Sequence, residues 1–189
     1  MNLPSRYVAL DFKFDANRIN SMRKCPATNQ LEIWERNGVI QIGMCDVAQD
    51  EASKNNRTRF EKASNYVGPV TLDSQRQSIE FRKIRNILFP NKSTFTRNED
   101  NDVLIVLHAK QSHSILVTND GGSKRQPGGM LGNKDRLCNE IGIKVVRDTE
   151  AVDLVEQKIL QRDERARRIA ARTGEALPKW LVKDIIEVR

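Results

Sequence analysis

Histidine is close to absent from this chain of 189 residues, with only His108 and His113. Neither stands beside a Ser or Asp pattern resembling a nucleophile elbow, so His-based nucleophilic catalysis has little to draw on. They read as an ordinary helix residue and loop residue. Cysteine is scarce too. Cys25, Cys45 and Cys138 are widely spaced and form no Cys-x-x-Cys, so they read as three reduced thiols rather than zinc ligands. No apolar run approaches the roughly 18 residues that a membrane-spanning helix requires. The opening MNLPSRYVALDF meets charge after a short apolar stretch and lacks the long apolar region and small-residue cleavage site of a signal peptide. An intracellular, cytoplasmic protein without a membrane partner is the expectation.

Charge is what the chain has in quantity. Thirty-two Lys and Arg stand against 25 Asp and Glu, a net charge of +7. The excess favours a polyanionic partner, nucleic acid before membrane. The length suits one domain with a core of its own and room for an appendage.

Residues 6–14, RYVALDFKF, alternate as a strand with Val8, Leu10, Phe12 and Phe14 on one face, ending at Asp15-Ala16-Asn17. Thr28 is placed to cap a helix that runs to Arg36 and stops at Asn37-Gly38. Val39 to Met44 reads as a second strand, and Asp46 opens a helix bearing Asp50 and Glu51. Asp73 is placed to cap a helix that reaches Leu88 and ends before Pro90. Residues 91–101 read as a polar loop. Asp102 begins the apolar segment DVLIVLHAK, a buried strand or a buried helix, with the preceding polar run favouring a helix start.

Ser114 to Thr118 follows as a strand that delivers Thr118, Asn119 and Asp120 at its tip. A glycine-rich, basic loop, Gly121 to Gly132, carries Lys124 and Arg125. A short helix over 133–140 leads to a last strand, Gly142 to Val146. Alternation of strands and helices predicts an α/β fold: three layers, α/β/α, around a mainly parallel sheet. Active crevices in such sheets lie at the carboxyl ends of strands. Asp15, Asp50 or Glu51, Asp102 and Asp120 all fall on that edge. Carboxylates gathered there repel one another unless a cation holds them, and hard oxygen donors suit Mg²⁺ or Mn²⁺.

These residues resemble the PIN-domain nucleases. Asp15-Ala16-Asn17 resembles the family's opening Asp-Thr-Asn. Residues 102–109, DVLIVLHA, resemble its Asp-x-x-Ile-x-x-x-Ala helix, and residues 117–120, VTND, its strand ending in Thr-x-Asp. Residues 47–51 stand where the family has a helix-borne Glu. The order holds from about residue 6 to 146. Adjacent Asp50 and Glu51 leave the second acid open, with Glu51 preferred. Asp11 competes with Asp15 for the first. Gly121-Gly122 replaces the usual continuation of the last motif, where Asp135 is a further acid that reads better as a helix residue.

The resemblance implies a metal-dependent endoribonuclease. Asp15, Glu51, Asp102 and Asp120 would hold Mg²⁺ or Mn²⁺ to activate water, supported by Asn17 and Thr118. A stand-alone RNA-processing enzyme and a toxin restrained by a small antitoxin both fit, and a homodimer is open. A non-catalytic RNA-binding module of the same fold is the alternative. Residues 1–148 would form this domain, and 149–189 a helical extension packed on it or on a partner. In the extension Arg165, Arg168 and Arg172 share one helix face. With Lys124 and Arg125 they are the candidate RNA contacts, unless they only solvate a face paired with Asp163 and Glu164. A final helix is expected over 178–188.

Overall fold

In a computed structural model, residues 3–19, 24–54, 56–67, 74–181 and 183–186 are described. The sheet has four parallel strands: β1 (Asp11–Phe14), β2 (Gln41–Gly43), β3 (Ile115–Val117) and β4 (Val145–Val146). Their order across the sheet is β2-β1-β3-β4. Phe12 pairs with Ile42 on one side and with Ile115 on the other, and Leu116 pairs with Val145. The strand order reverses between β1 and β3. An open parallel sheet leaves a crevice at such a reversal, beyond the carboxyl ends of the two strands.

The helices divide accordingly. α1 (Pro26–Arg36) crosses from β1 to β2. α2 (Asp46–Ser53), α3 (Arg57–Ser64), α4 (Ser74–Leu88) and α5 (Arg97–Gln111) connect β2 to β3. That connection runs the other way across the sheet, so a right-handed crossover sends it over the opposite face from α1. α6 (Gly129–Gly132) and α7 (Lys134–Arg136) are single turns, followed by a π-helical turn, Leu137–Ile141, before β4. α8 (Asp148–Thr173) returns to pack against α1, and α9 (Lys183–Ile186) is one last turn. The result is an α/β domain with helices on both faces of a parallel sheet.

Phe12, Phe14, Trp34, Leu31, Val103, Leu116 and Met130 are fully buried in one core. Ala151, Val155 and Ile159 of α8 belong to that same core, so the C-terminal helix completes the domain rather than hanging from it. Among the described residues no helix is long and apolar enough to cross a membrane.

Several local expectations are corrected. The first strand spans four residues, because Ala9 takes φ 54° and interrupts the extended run from residue 6. Thr28 does not cap α1. Cys25 precedes it with Pro26 in the first turn, and the buried Thr28 hydroxyl donates to Asp148 at 3.1 Å. Residues 97–101 are helical, and Asp102 does not open α5. Thr96 does, in a capping box where Glu99 Oε2 accepts from the Thr96 N–H at 2.8 Å. Asp73 lies outside the described residues, as do residues 182, 187 and 188 of the expected last helix, which among the described residues spans only Lys183–Ile186.

Candidate functional site at the strand reversal

Asp15 follows β1 directly and Thr118 follows β3 directly, on the two strands that flank the reversal. The Asp15 N–H donates to Val117 C=O at 3.1 Å, so the ladder continues past both strand ends. The Thr118 hydroxyl then donates to Asp15 Oδ2 at 2.6 Å. The same hydroxyl accepts from Asn17 Nδ2 at 3.1 Å and from the Asp120 N–H at 2.9 Å. Asn17 Nδ2 also donates to Asp15 Oδ2, while its Oδ1 accepts from the Asn119 N–H at 3.0 Å. Asn17 and Thr118 thus lock the two loops together and orient one buried carboxylate.

Arg18 braces this arrangement from behind. It is buried, and its Nη1 donates to Asp148 Oδ2 at 2.7 Å while its Nε donates to Asn17 Oδ1 at 2.8 Å. With its amide turned to satisfy both groups, Asn119 offers its oxygen to the same guanidinium. Asp148 begins α8, so one arginine ties both strand-end loops to the C-terminal helix. Sequence reading passed over Arg18, because nothing in its neighbourhood announces a partner 130 residues away.

Glu51 and Asp102 come from the opposite layer, on α2 and α5. Both line a cleft of about 400 Å³ together with Asn17, Lys54, Arg59 and Asn98. Glu51 Oε1 accepts from Asn101 Nδ2 at 2.6 Å. Asp50 is exposed and does not line the cleft, since adjacent helix residues point about 100° apart. Asp11 starts β1 at the far edge of the sheet, where it accepts from the Tyr7 hydroxyl. Asp135 is exposed on α7 and borders a different cleft.

Asp120 is held by its own loop. Its Oδ2 accepts from the Met130 N–H at 2.9 Å and its Oδ1 from Gln126 Nε2 at 3.0 Å. Gly129, at φ 69°, lies so close that a Cβ there would collide with the Asp120 carboxylate. The glycines of this loop therefore let the backbone fold over the acid. Lys124 and Arg125 sit exposed on the same loop.

Asp15 and Asp102 both feel the charges of Asp120 and Glu51. Burial, chiefly, pushes the Asp102 carboxyl up to about 7, and the charges of Asp120, Asp15 and Glu51 push the same way. Burial also raises Asp15, to about 6, against the stabilising hydrogen bond from Thr118, with Asp120 and Glu51 adding repulsion. Among the described residues no ion pair reaches any of the four. The hydrogen bonds on Asp15, Glu51 and Asp120 come from neutral donors, and Lys54 and Arg59 line the same cleft as Glu51 and Asp102. Among the described residues no three acids, histidines or cysteines are drawn together tightly enough to form a ready-made metal site.

Arg165, Arg168 and Arg172 lie elsewhere. α8 starts beside Arg18 at the acidic edge, and at 1.5 Å per residue Arg165 stands roughly 25 Å down its axis. Asp163 turns inward to Arg162 at 2.7 Å, and among the described residues only Arg168 of the stripe has an ion-pair partner, Glu164 at 3.7 Å. In comparison with known proteins, the chain matches no family model, no curated protein and no solved structure.

Proposed function

We propose that this chain is a PIN-like, divalent-metal-dependent endoribonuclease. The observation that carries the reading is the pair of raised carboxyls, Asp15 and Asp102, each pushed up chiefly by burial and further by the charges of Asp120 and Glu51. Buried acids that repel, with no cationic partner, form a site suited to a cation. An all-oxygen donor set selects a hard one, Mg²⁺ or Mn²⁺.

Asp15, Glu51, Asp102 and Asp120 would hold that ion. What it supplies when bound is a lowered pKa for water and neutralisation of charge developing on the phosphate. The remaining work falls to this chain's residues. Thr118 and Asn17 fix the Asp15 carboxylate, so its charge is aimed before substrate arrives. Lys54 and Arg59 at the cleft rim offer cations to a phosphate next to an acidic floor. No side-chain nucleophile is required.

A second reading, a non-catalytic RNA-binding module, draws support from one observation. Both Asp120 oxygens are already taken by donors of its own loop. Here Asp120 is a loop anchor and the acids of the cleft are a structural cost.

The two readings part in one assay. A mixed RNA pool is incubated with the protein and Mn²⁺, beside a melting curve with and without Mn²⁺. Cleavage that Asp102→Asn abolishes, together with a Mn²⁺-dependent rise in Tm, supports the nuclease. A chain inert to RNA whose Tm ignores Mn²⁺ is the binding module.

A further inference from the structure

A second groove, of about 500 Å³, lies where the segment before β1 meets the C-terminal half of α8. Ala9 and Val8 precede the first residue of β1, so the groove sits at the amino edge of the sheet, opposite the acidic cleft. Among the described residues no carboxylate lines it. Lys158, Arg162, Arg165 and Arg168 do.

The four cations are unequal. Arg162 is buried and flanked by Asp163 at 2.7 Å and Asp184 at 3.0 Å, so its charge is spent. It serves as the floor, its Nη1 donating to the Arg6 carbonyl and its guanidinium lying 4.2 Å over the Trp180 ring. Lys158, Arg165 and Arg168 are exposed. The single ion pair they make among the described residues, Arg168–Glu164 at 3.7 Å, is two-thirds exposed on both sides and weak in solvent. Lys158, Arg165, Arg168 and Arg172 fall within about 80° of one another around the helix and span roughly 21 Å of its axis.

We infer that this groove and the arginine face beyond it bind the phosphate backbone of a single-stranded nucleic acid, as a site separate from the acidic cleft. One phosphate would meet two of these cations at most. A row some 21 Å long fits successive phosphates of a strand. The site does not rest on catalysis, since a binding module would use it equally.

The test is the binding of a fluorescein-labelled single-stranded RNA 12-mer to the full chain, with EDTA present to prevent cleavage, across a salt series. Replacing Lys158, Arg165 and Arg168 together by Ala is expected to weaken binding roughly tenfold or more. It should lower the slope of log K against log salt by about 2, near 0.7 per lost contact. Lys in place of both arginines should keep most of that slope. Lys83→Ala, at an exposed cation of α4 outside both sites, should not weaken binding, which separates this row from positive charge elsewhere on the surface. Unchanged affinity and slope in the triple Ala variant, with an unchanged melting curve, overturn the inference. So does retained RNA binding alongside lost binding of a poly-glutamate probe, which assigns the face to an acidic protein.

Discussion

Thr118 gives its one hydroxyl proton to Asp15, at 2.6 Å, and spends its lone pairs on Asn17 and on the Asp120 N–H. The direction of every bond is fixed, because Asn17 Nδ2 and the backbone N–H can only donate. A single buried hydroxyl thus joins both strand-end loops. Thr118→Val keeps the shape and removes the hydroxyl. It is expected to destabilise the fold by about 1–3 kcal/mol and to lift the Asp15 carboxyl further above about 6. NMR titration of the Asp15 carboxyl carbon reads the second effect. An unmoved titration would mean that burial alone sets Asp15.

Stability should fall as pH rises through neutrality. In the unfolded chain Asp15 and Asp102 titrate near 3.8, whereas in the fold they titrate at about 6 and about 7. Between those limits the folded state binds more protons, so its stability is greatest towards the acidic side and is lost as the two acids ionise. Tm is expected to decline from pH 5 to pH 7.5 at fixed ionic strength, and Mn²⁺ should flatten the decline. A Tm independent of pH over this window would show that the two carboxyls are not raised in the fold.

Asp102→Asn removes one member of the repelling set without changing its size. At pH 7.5 it should stabilise the fold, by on the order of 1 kcal/mol once solvent screening at this partly exposed group is allowed for. At pH 5, where Asp102 is already protonated, the gain should vanish. Urea denaturation at both pH values checks this. Equal effects at the two would trace the change to packing instead.

Gly129→Ala puts a Cβ against the Asp120 carboxylate at a residue with φ 69°. The strained backbone is expected to cost about 1–3 kcal/mol. Asp120 should lose its bond from the Met130 N–H, read as faster hydrogen exchange at Met130. Exchange as slow as in the wild type would show that the loop shifts as a unit and carries Asp120 with it.

Arg162→Leu tests the buried node midway along α8. Asp184 is held by Arg162 and Arg6, and its carbonyl accepts from Trp34 Nε1 at 2.8 Å. Removing the arginine leaves Asp163 and Asp184 short of their charge partner, at an expected cost of about 3–5 kcal/mol. Trp fluorescence during urea unfolding reports it directly. A loss below about 1 kcal/mol would mean that Arg6 alone suffices for Asp184.

The strand ends were readable because strand and acid adjoin in sequence. Val117-Thr118-Asn119-Asp120 and Phe14-Asp15-Ala16-Asn17 each carry their own direction. The start of α5 was misread although Thr96-Arg-Asn-Glu99 stood in plain view as a capping signature. Its first turns are polar and lie at the surface, so the apolar residues begin only at Val103. The onset of hydrophobic residues marks where a helix goes under, not where it begins. Helix geometry separates Glu51 from Asp50, but which of them faces the cleft depends on how α2 is rotated against α5, and only packing sets that. The Arg18–Asp148 and Arg162–Asp184 pairs join residues with no local pattern between them, and composition gives no hint of either.

The bond between Thr118 and Asp15 spans 103 residues. A ribosome adding roughly 5–20 residues per second completes Asp15 several seconds before the threonine that orients it. The brace from Arg18 waits longer, for Asp148, and Arg6 is met by Arg162 only 156 positions later. Two central strands so far apart in the chain cannot pair early. The growing chain therefore carries its acids unassembled past the machinery that makes it, until Thr118 and then Asp148 have emerged.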